Sequence, residues 1–170
     1  ATWQHFIDAM YWNAELRDWR VEGRSVRAAI TTQGDVEGDE FVLAAGSWSS
    51  ILARKLGLQM PLQPGKGYSL TLEAPRERPR RSLLLQEARV AITPMGTMLR
   101  IGGTMELGAF DQGINPPRIR GILRSFTRYL PAFHPEDFAS SKPWSGLRPC
   151  SPDGLPYIGR FERFDNLAVA

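Results

Sequence analysis

The stretch 88-ARVAITPMGTMLRIGGTMEL-107 decides the architecture. Val90 and Ile92 alternate with Ala91 and Thr93 before Met95-Gly96-Thr97, and Leu99 and Ile101 alternate with Arg100 and Gly102 after it. Such alternation sends successive side chains to opposite faces of a strand, and two runs joined by a short Gly-containing link predict a β-hairpin. Gly102-Gly103 inside the second run predicts a bulge, or close approach by another backbone or a ligand. Outward from the hairpin, 68-YSLTLEA-74 and 82-SLLLQE-87 keep the same period, so residues 62–107 read as an antiparallel meander.

Beyond the meander, the period changes. Trp3, Phe6, Ile7, Met10, Tyr11 and Ala14, with Thr2 as N-cap, predict an amphipathic helix over 3–14 whose aromatic and Met stripe faces a core. "SVRAAITT" (25–32), Gly34 and "DVEGDEFVLAAG" (35–46) predict strands, with the apolar run 41–45 buried on both faces. Gly46 then leads into a helix through Ile51, Leu52 and Leu56, with Gly57 as its C-terminal stop. A strand, a glycine and a helix start either present backbone N–H groups to a ligand or form a plain turn. Asn115-Pro116-Pro117 starts a second helix, in which Ile119, Ile122, Leu123, Phe126, Tyr129 and Leu130 mark the buried face before Pro131. A short strand at 167–170 ends the chain.

The totals exclude several classes. With 21 Lys plus Arg against 18 Asp plus Glu over 170 residues, the net charge is +3, and the basic run Arg76 to Arg81 lacks the interleaved aromatics of a nucleic-acid surface. It reads as a solvated loop. The single cysteine, Cys150, forms no internal disulfide framework and fits a reducing compartment. His5 and His134 have no ligand spacing around them, so no metal site is expected. No apolar stretch approaches the length of a transmembrane helix. Ala1 in place of Met and the apolar ending 166-NLAVA-170 lead to the expectation that the chain is a piece of a longer one.

Most short motifs fail their own tests. "GKGYSL" (65–70) has Leu70 where a dinucleotide fingerprint needs a third glycine, and "GSWSS" (46–50) lacks the spacing of a nucleophile elbow. Glu106 and Asp153 have nothing in the sequence that pairs them as acid and base. What remains is 144-WSGLRPCSPDGLPYIG-159. Pro149 biases Arg148 toward extended backbone, and a guanidinium held in that way offers a fork to a carboxylate, or forms a salt bridge between lobes.

Three blocks, 40-EFVLAAGSWSSILARKLGLQMPLQPGKGYSLTL-72, 89-RVAITPMGTMLRIGGTMEL-107 and 144-WSGLRPCSPDGLPYIG-159, carry a resemblance. In order and in register they resemble the D-amino acid oxidase and dehydrogenase family of FAD-dependent flavoproteins, near its bacterial D-amino acid dehydrogenase and glycine oxidase branch. The resemblance implies an α+β piece of a two-lobed α/β flavoprotein: a largely antiparallel mixed sheet with helices, plus parts of the FAD-binding lobe. Residues 1–60 and 145–170 would belong to the FAD-binding lobe and 61–144 to the substrate lobe. Arg148 would hold the substrate carboxylate, with Val90 and Met105 lining a pocket for a small or apolar side chain. Ala45, Gly46 and Trp48 would touch FAD, and Leu16 would lie near its adenine.

The implied reaction passes the Cα hydrogen of an amino acid or amine as hydride to flavin N5, and water converts the imino acid to a keto acid and ammonia. No protein group is then needed as a catalytic acid or base, because the cofactor carries the chemistry. Gly146 stands where sarcosine-type relatives carry a flavin-linking cysteine, so non-covalent FAD is implied. Oxygen or a quinone chain would take the electrons, in the cytoplasm or at the periphery of the inner membrane. The Gly-x-Gly-x-x-Gly unit and the C-terminal Gly-rich segment are missing, so the chain alone is expected to be inactive without the rest of its parent. A non-catalytic carboxylate-binding module is the alternative, and a glycerol-phosphate type would call for more than the one cation at Arg148.

Overall fold

The computed structural model describes residues 10–170. In chain order its elements are β1 (Leu16–Glu22), β2 (Ser25–Thr31), β3 (Gly34–Glu37), β4 (Phe41–Leu43), α1 (Ser49–Lys55), β5 (Gln63–Leu72) and β6 (Leu83–Leu85). There follow β7 (Val90–Met95), β8 (Met98–Leu107), α2 (Pro116–Tyr129), β9 (Trp144–Cys150), β10 (Gly159–Arg160) and β11 (Leu167–Val169). Two compact units divide them, one ending at Pro61 and resuming at Ser151, the other spanning Leu62–Cys150.

In the 62–150 unit, five antiparallel strands run in the order β6-β7-β8-β5-β9. The hairpin is there as its alternation predicts: β7 and β8 pair from Val90↔Gly103 to Met95↔Met98 around Gly96-Thr97. Helix α2 covers one face. Asn115 caps it in extended conformation ahead of Pro116, and Ile119, Ile122 and Phe126 turn inward. They pack with Tyr68, Leu70, Val90, Ile92, Leu99 and Ile101 from the sheet and with Phe133 and Phe138 from the segment beyond the helix.

The Gly102-Gly103 signal marks a real bulge. Pairing passes from Gly67↔Met105 to Tyr68↔Gly103, leaving Thr104 as the extra residue with φ of 55°, an unusual conformation for a β-branched side chain. A Cβ on Gly103 would lie 2.8 Å from the Arg89 carbonyl oxygen and 3.3 Å from Ile122 Cγ1, so this glycine lets α2 close onto the sheet. Gly103→Ala is expected to cost about 1–3 kcal/mol through overpacking, read as a lower urea midpoint with an unchanged slope. An unchanged midpoint would remove the close-approach explanation.

The other unit contains the antiparallel meander β1-β2-β3 and a small sheet ordered β10-β11-β4, in which β4 and β11 run parallel. Val26, Leu56, Phe164 and Leu167 form its core, with Trp19 and Phe41 edge to face at 6.0 Å against it. Helix α1 ends in a paired-carbonyl stop: Gly57 N–H donates to Arg54 O and Leu58 N–H to Ala53 O, with Gly57 at φ of 68°. Asn166 bonds Val26 through both backbone groups, its Oδ1 accepting from N–H and its Nδ2 donating to O, and so ties the ends of this unit together.

Three expectations are corrected. Residues 10–14, the described part of the expected 3–14 helix, are not helical; Thr2, Trp3, Phe6 and Ile7 lie outside the described residues. Asn13 has φ of 59°, and Gln33 Nε2 donates to Trp12 O at 2.9 Å, so the segment's backbone bonds go to the β2–β3 turn instead. The run 41–45 is not buried on both faces: β4 ends at Leu43 and Val42 is 63% exposed. The division expected at 144/145 falls at 150/151, because all seven residues of β9 pair with β5, from Gln63↔Cys150 to Ser69↔Trp144.

Candidate functional site

One face of the five-stranded sheet lies under α2, and Arg148 stands on the other. Alternation along β9 places Trp144, Gly146, Arg148 and Cys150 on that open face, while Leu147 points the other way. The neighbouring strand is bare there. A Cβ on Gly67 would lie 3.9 Å from Arg148 Nε, so the arginine stem crosses β5 above a position with no side chain. Next to it a Cβ on Gly65 would meet Cys150 Sγ at 2.7 Å and Met105 Sδ at 3.0 Å, so two sulfurs fill the space that glycine leaves. The Trp144 indole covers Gly146 in the same way, and Trp144 is 63% exposed. The result is one guanidinium among Met, Cys and Trp surfaces on a glycine floor. Among the described residues, every carboxylate in an ion pair is matched to a cation other than Arg148.

Met105 therefore shares Arg148's face, but Val90 does not. Val90 pairs with Gly103, is 0% exposed, and packs against Ile122 under α2. Its assignment as a pocket residue is corrected: the neighbouring Ala91, partner of Gly102, lies on the open face in its place. Period-two counting from Arg148 would have found Trp144 and Cys150; the convergence of Met105 and Cys150 over Gly65 depends on the bulge and had no local signal.

In the other unit, Ala45, Gly46 and Trp48 form the turn that follows β4 and opens into α1. Gly46 has φ of 54°, a Cβ there would meet nothing within 4 Å, and Trp48 is 41% exposed. Ser49 Oγ accepts the Ala45 N–H at 3.1 Å, and the buried Ser47 Oγ has no hydrogen-bond partner. An open, glycine-led turn beyond the carboxyl end of a parallel strand fits a bound dinucleotide. Leu16 is carried by a different sheet, where it pairs with Thr31 and is half-buried.

The covered face of the large sheet holds a polar cluster that no sequence motif announced. Lys66, 6% exposed, donates from Nζ to Asp111 Oδ2 at 2.8 Å and to Gly113 O at 3.0 Å, with its ammonium 5.6 Å from the Tyr68 ring centre. Tyr68 O–H donates to Glu106 Oε2 at 2.8 Å, and Arg118 stands 3.7 Å from the same carboxylate. Glu106 is thus engaged, and Asp153 Oδ1 accepts the Leu155 N–H at 3.0 Å in a turn, so neither is free as an acid–base partner.

The Asp111 hydrogen bond holds Lys66 above its ordinary 10.5, outweighing burial, and Lys66, helped by the Gly113 N–H, holds Asp111 below 3.8. The Lys66 contribution is present below 10.5 and is lost as pH rises through its raised folded value; that of Asp111 is present above 3.8 and is lost as pH falls through its lowered one. Thermal midpoints followed across both limits should therefore change less with pH in Lys66→Met than in the parent. Identical acid and alkaline limbs in the two proteins would contradict the pairing.

A family model described as FAD dependent oxidoreductase, DAO, matches residues 9–170. The chain belongs to the DAO family of FAD-dependent oxidoreductases. It is 37% identical over 150 residues to a D-amino acid dehydrogenase of Paramagnetospirillum magneticum, covering 87% of this chain and 35% of that one. A D-amino acid dehydrogenase of Methylobacterium sp. is 40% identical over 141 residues, covering 81% and 33%. The chain thus spans about a third of the length of these curated relatives. Among solved structures, glycine oxidase from Geobacillus kaustophilus superposes with a TM-score of 0.80 at 27% identity, covering 94% of this chain and 42% of that one. The α+β architecture, with its antiparallel sheet and few helices, is that of this DAO family fold, and the family's cofactor is FAD.

Proposed function

We propose that the chain forms the amino-acid-binding face, and part of the cofactor-binding lobe, of a DAO family enzyme that oxidises the C–N bond of a D-amino acid, glycine or a related amine. The observation that carries this reading is Arg148, a guanidinium without an ion-pair partner among the described residues, on the open sheet face and framed by Met105, Cys150 and Trp144. An amino acid needs its carboxylate fixed and its side chain in an apolar surround, and one planar fork on a braced strand does the first. Met105 bounds the space for the side chain. Ala45, Gly46 and Trp48 would hold FAD non-covalently, with Leu16 toward its adenine end. When bound, FAD supplies the two-electron oxidation that turns the amine into an imine, which water converts to a keto acid and ammonia. This chain's own part is to orient the substrate, which shortens the search for a reactive geometry.

For the electron acceptor, the reading includes oxygen or a quinone chain. No described helix is long and apolar enough to cross a membrane. Helix α2 carries Arg118, Arg120, Arg124 and Arg128 and no acidic residue. This basic side supports placement at the cytoplasmic periphery of the inner membrane. The full-length protein should sediment with vesicles containing anionic lipid at low salt and not with neutral ones; equal behaviour toward both would remove the peripheral placement.

The alternative, a carboxylate-binding module without redox chemistry, uses the same Arg148 face. It predicts carboxylate binding with no reduction of a bound flavin by any amino acid, and anaerobic reductive titration separates the two.

A further inference from the structure

We propose that Lys66 is a positioning residue for Arg148, acting from the opposite face of the sheet through the 108–113 loop. The inference rests on the reading of Arg148 as the carboxylate-binding group. Strand β9 is the edge of its sheet and pairs only with β5, so the pose of Arg148 depends on how firmly that edge is held. Its second tether is Ser145, whose Oγ donates to the Gln112 carbonyl. The loop that offers this carbonyl has no regular structure of its own and hangs from β5. Gln63 Nε2 donates to Gly108 O at 2.6 Å, Gly108 N–H donates to Pro64 O at 3.3 Å, and Lys66 grips Asp111 and Gly113, the two residues that flank Gln112. Asp111 Oδ1 in turn accepts the Gly113 N–H at 2.7 Å, closing the loop on itself.

Lys66 and Arg148 occupy adjacent rows of one ladder. Lys66 pairs with Leu147, and Gly65 with Arg148, so the two side chains leave opposite faces one residue step apart. A buried ammonium is costly unless its protons find partners, and here both hydrogen-bond acceptors, Asp111 Oδ2 and Gly113 O, belong to the loop that clamps β9. Lys66 thus does on the covered face what the glycines do on the open one: it fixes where the guanidinium stands. It touches neither substrate nor cofactor in this arrangement, and its effect is through the edge strand alone.

The test uses the full-length flavin-loaded enzyme, with rates normalised to bound flavin. Lys66→Met is expected to raise KM for the amino acid, and Ki for a competing simple carboxylate, by about 10-fold each, with kcat at saturation within about 2-fold. Lys66→Arg should restore both within about 3-fold. Ser145→Ala cuts the clamp at its other end without disturbing a buried charge, and should raise KM and Ki together by about 3-fold, which keeps the test decisive if Lys66→Met does not fold. A purely structural role would lower the thermal midpoint and leave KM and Ki unmoved in the folded fraction. KM and Ki unchanged in Ser145→Ala, and in any Lys66 variant that folds, while Arg148→Ala raises both, would overturn the inference alone. Unchanged values in Arg148→Ala would overturn the reading beneath it.

Discussion

Arg148→Ala in the full-length enzyme is expected to raise KM for the proposed amino acid substrate by about 100- to 20,000-fold. Two charge-assisted hydrogen bonds from the fork to the carboxylate are lost, at about 1.5–3 kcal/mol each, with every 1.4 kcal/mol worth about tenfold. Met105, Cys150 and Trp144 supply contact but no charge, and no other cation stands on the glycine floor formed by Gly65, Gly67 and Gly146 among the described residues. Arg148→Lys keeps the charge and loses the planar pair of donors, so it should recover only part of the loss. Steady-state kinetics with a carboxylate competitor checks the assignment. A KM within about 3-fold of the parent for Arg148→Ala would remove Arg148 from the site.

The second large effect is on stability. Phe126 is fully buried where α2 meets the sheet, with the Phe133 ring centre at 5.1 Å and the Phe138 ring centre, edge to face, at 5.5 Å. Phe126→Ala leaves a cavity beneath the helix and strips two ring contacts, an expected loss of about 3–5 kcal/mol in urea unfolding. Tyr129, near the end of the same helix, is 45% exposed, and Tyr129→Ala should stay within about 1 kcal/mol of the parent. Similar midpoints for the two variants would mean that α2 is not the lid of this core. The comparison also bears on function, because the face carrying Arg148 is the reverse side of the sheet against which Phe126 packs.

Local periodicity carried the elements whose neighbours are close in sequence. The 88–107 hairpin and the 116–129 helix follow from alternation, a two-residue link and a Pro-led start, and each closes within one segment. Val90 shows where such reading stops. Val90 and Met105 face the same way only if β8 is regular; the extra residue Thr104 rolls Met105 onto the open face while Val90 stays under α2. The glycine pair announced a bulge without saying which residue would be extra. Arg148 was legible because Leu147 and Pro149 force it into a strand, yet its strand had to find β5, some 80 residues earlier in the chain, before the lobe boundary could be placed correctly. Lys66 and Asp111, far apart in sequence, leave no trace in any short window, and neither does the meeting of Cys150 and Met105 over Gly65. Residues 10–14 had helical spacing, but Thr32 and Gln33 offered residues 12–15 other hydrogen-bond partners.

The central claim, that the open face presents an amino acid to FAD for oxidation, is tested most directly by anaerobic titration of the full-length flavoprotein with D-amino acids, glycine and N-methyl amino acids. The account predicts that at least one of these bleaches the flavin absorbance fully, with one equivalent of keto acid and of ammonia or amine released per flavin reduced. It predicts also that Arg148→Ala shifts the half-bleaching concentration upward by about 100-fold or more. A flavin that stays oxidised with every one of them, while simple carboxylates still bind at Arg148, would contradict the account and leave the binding module in its place.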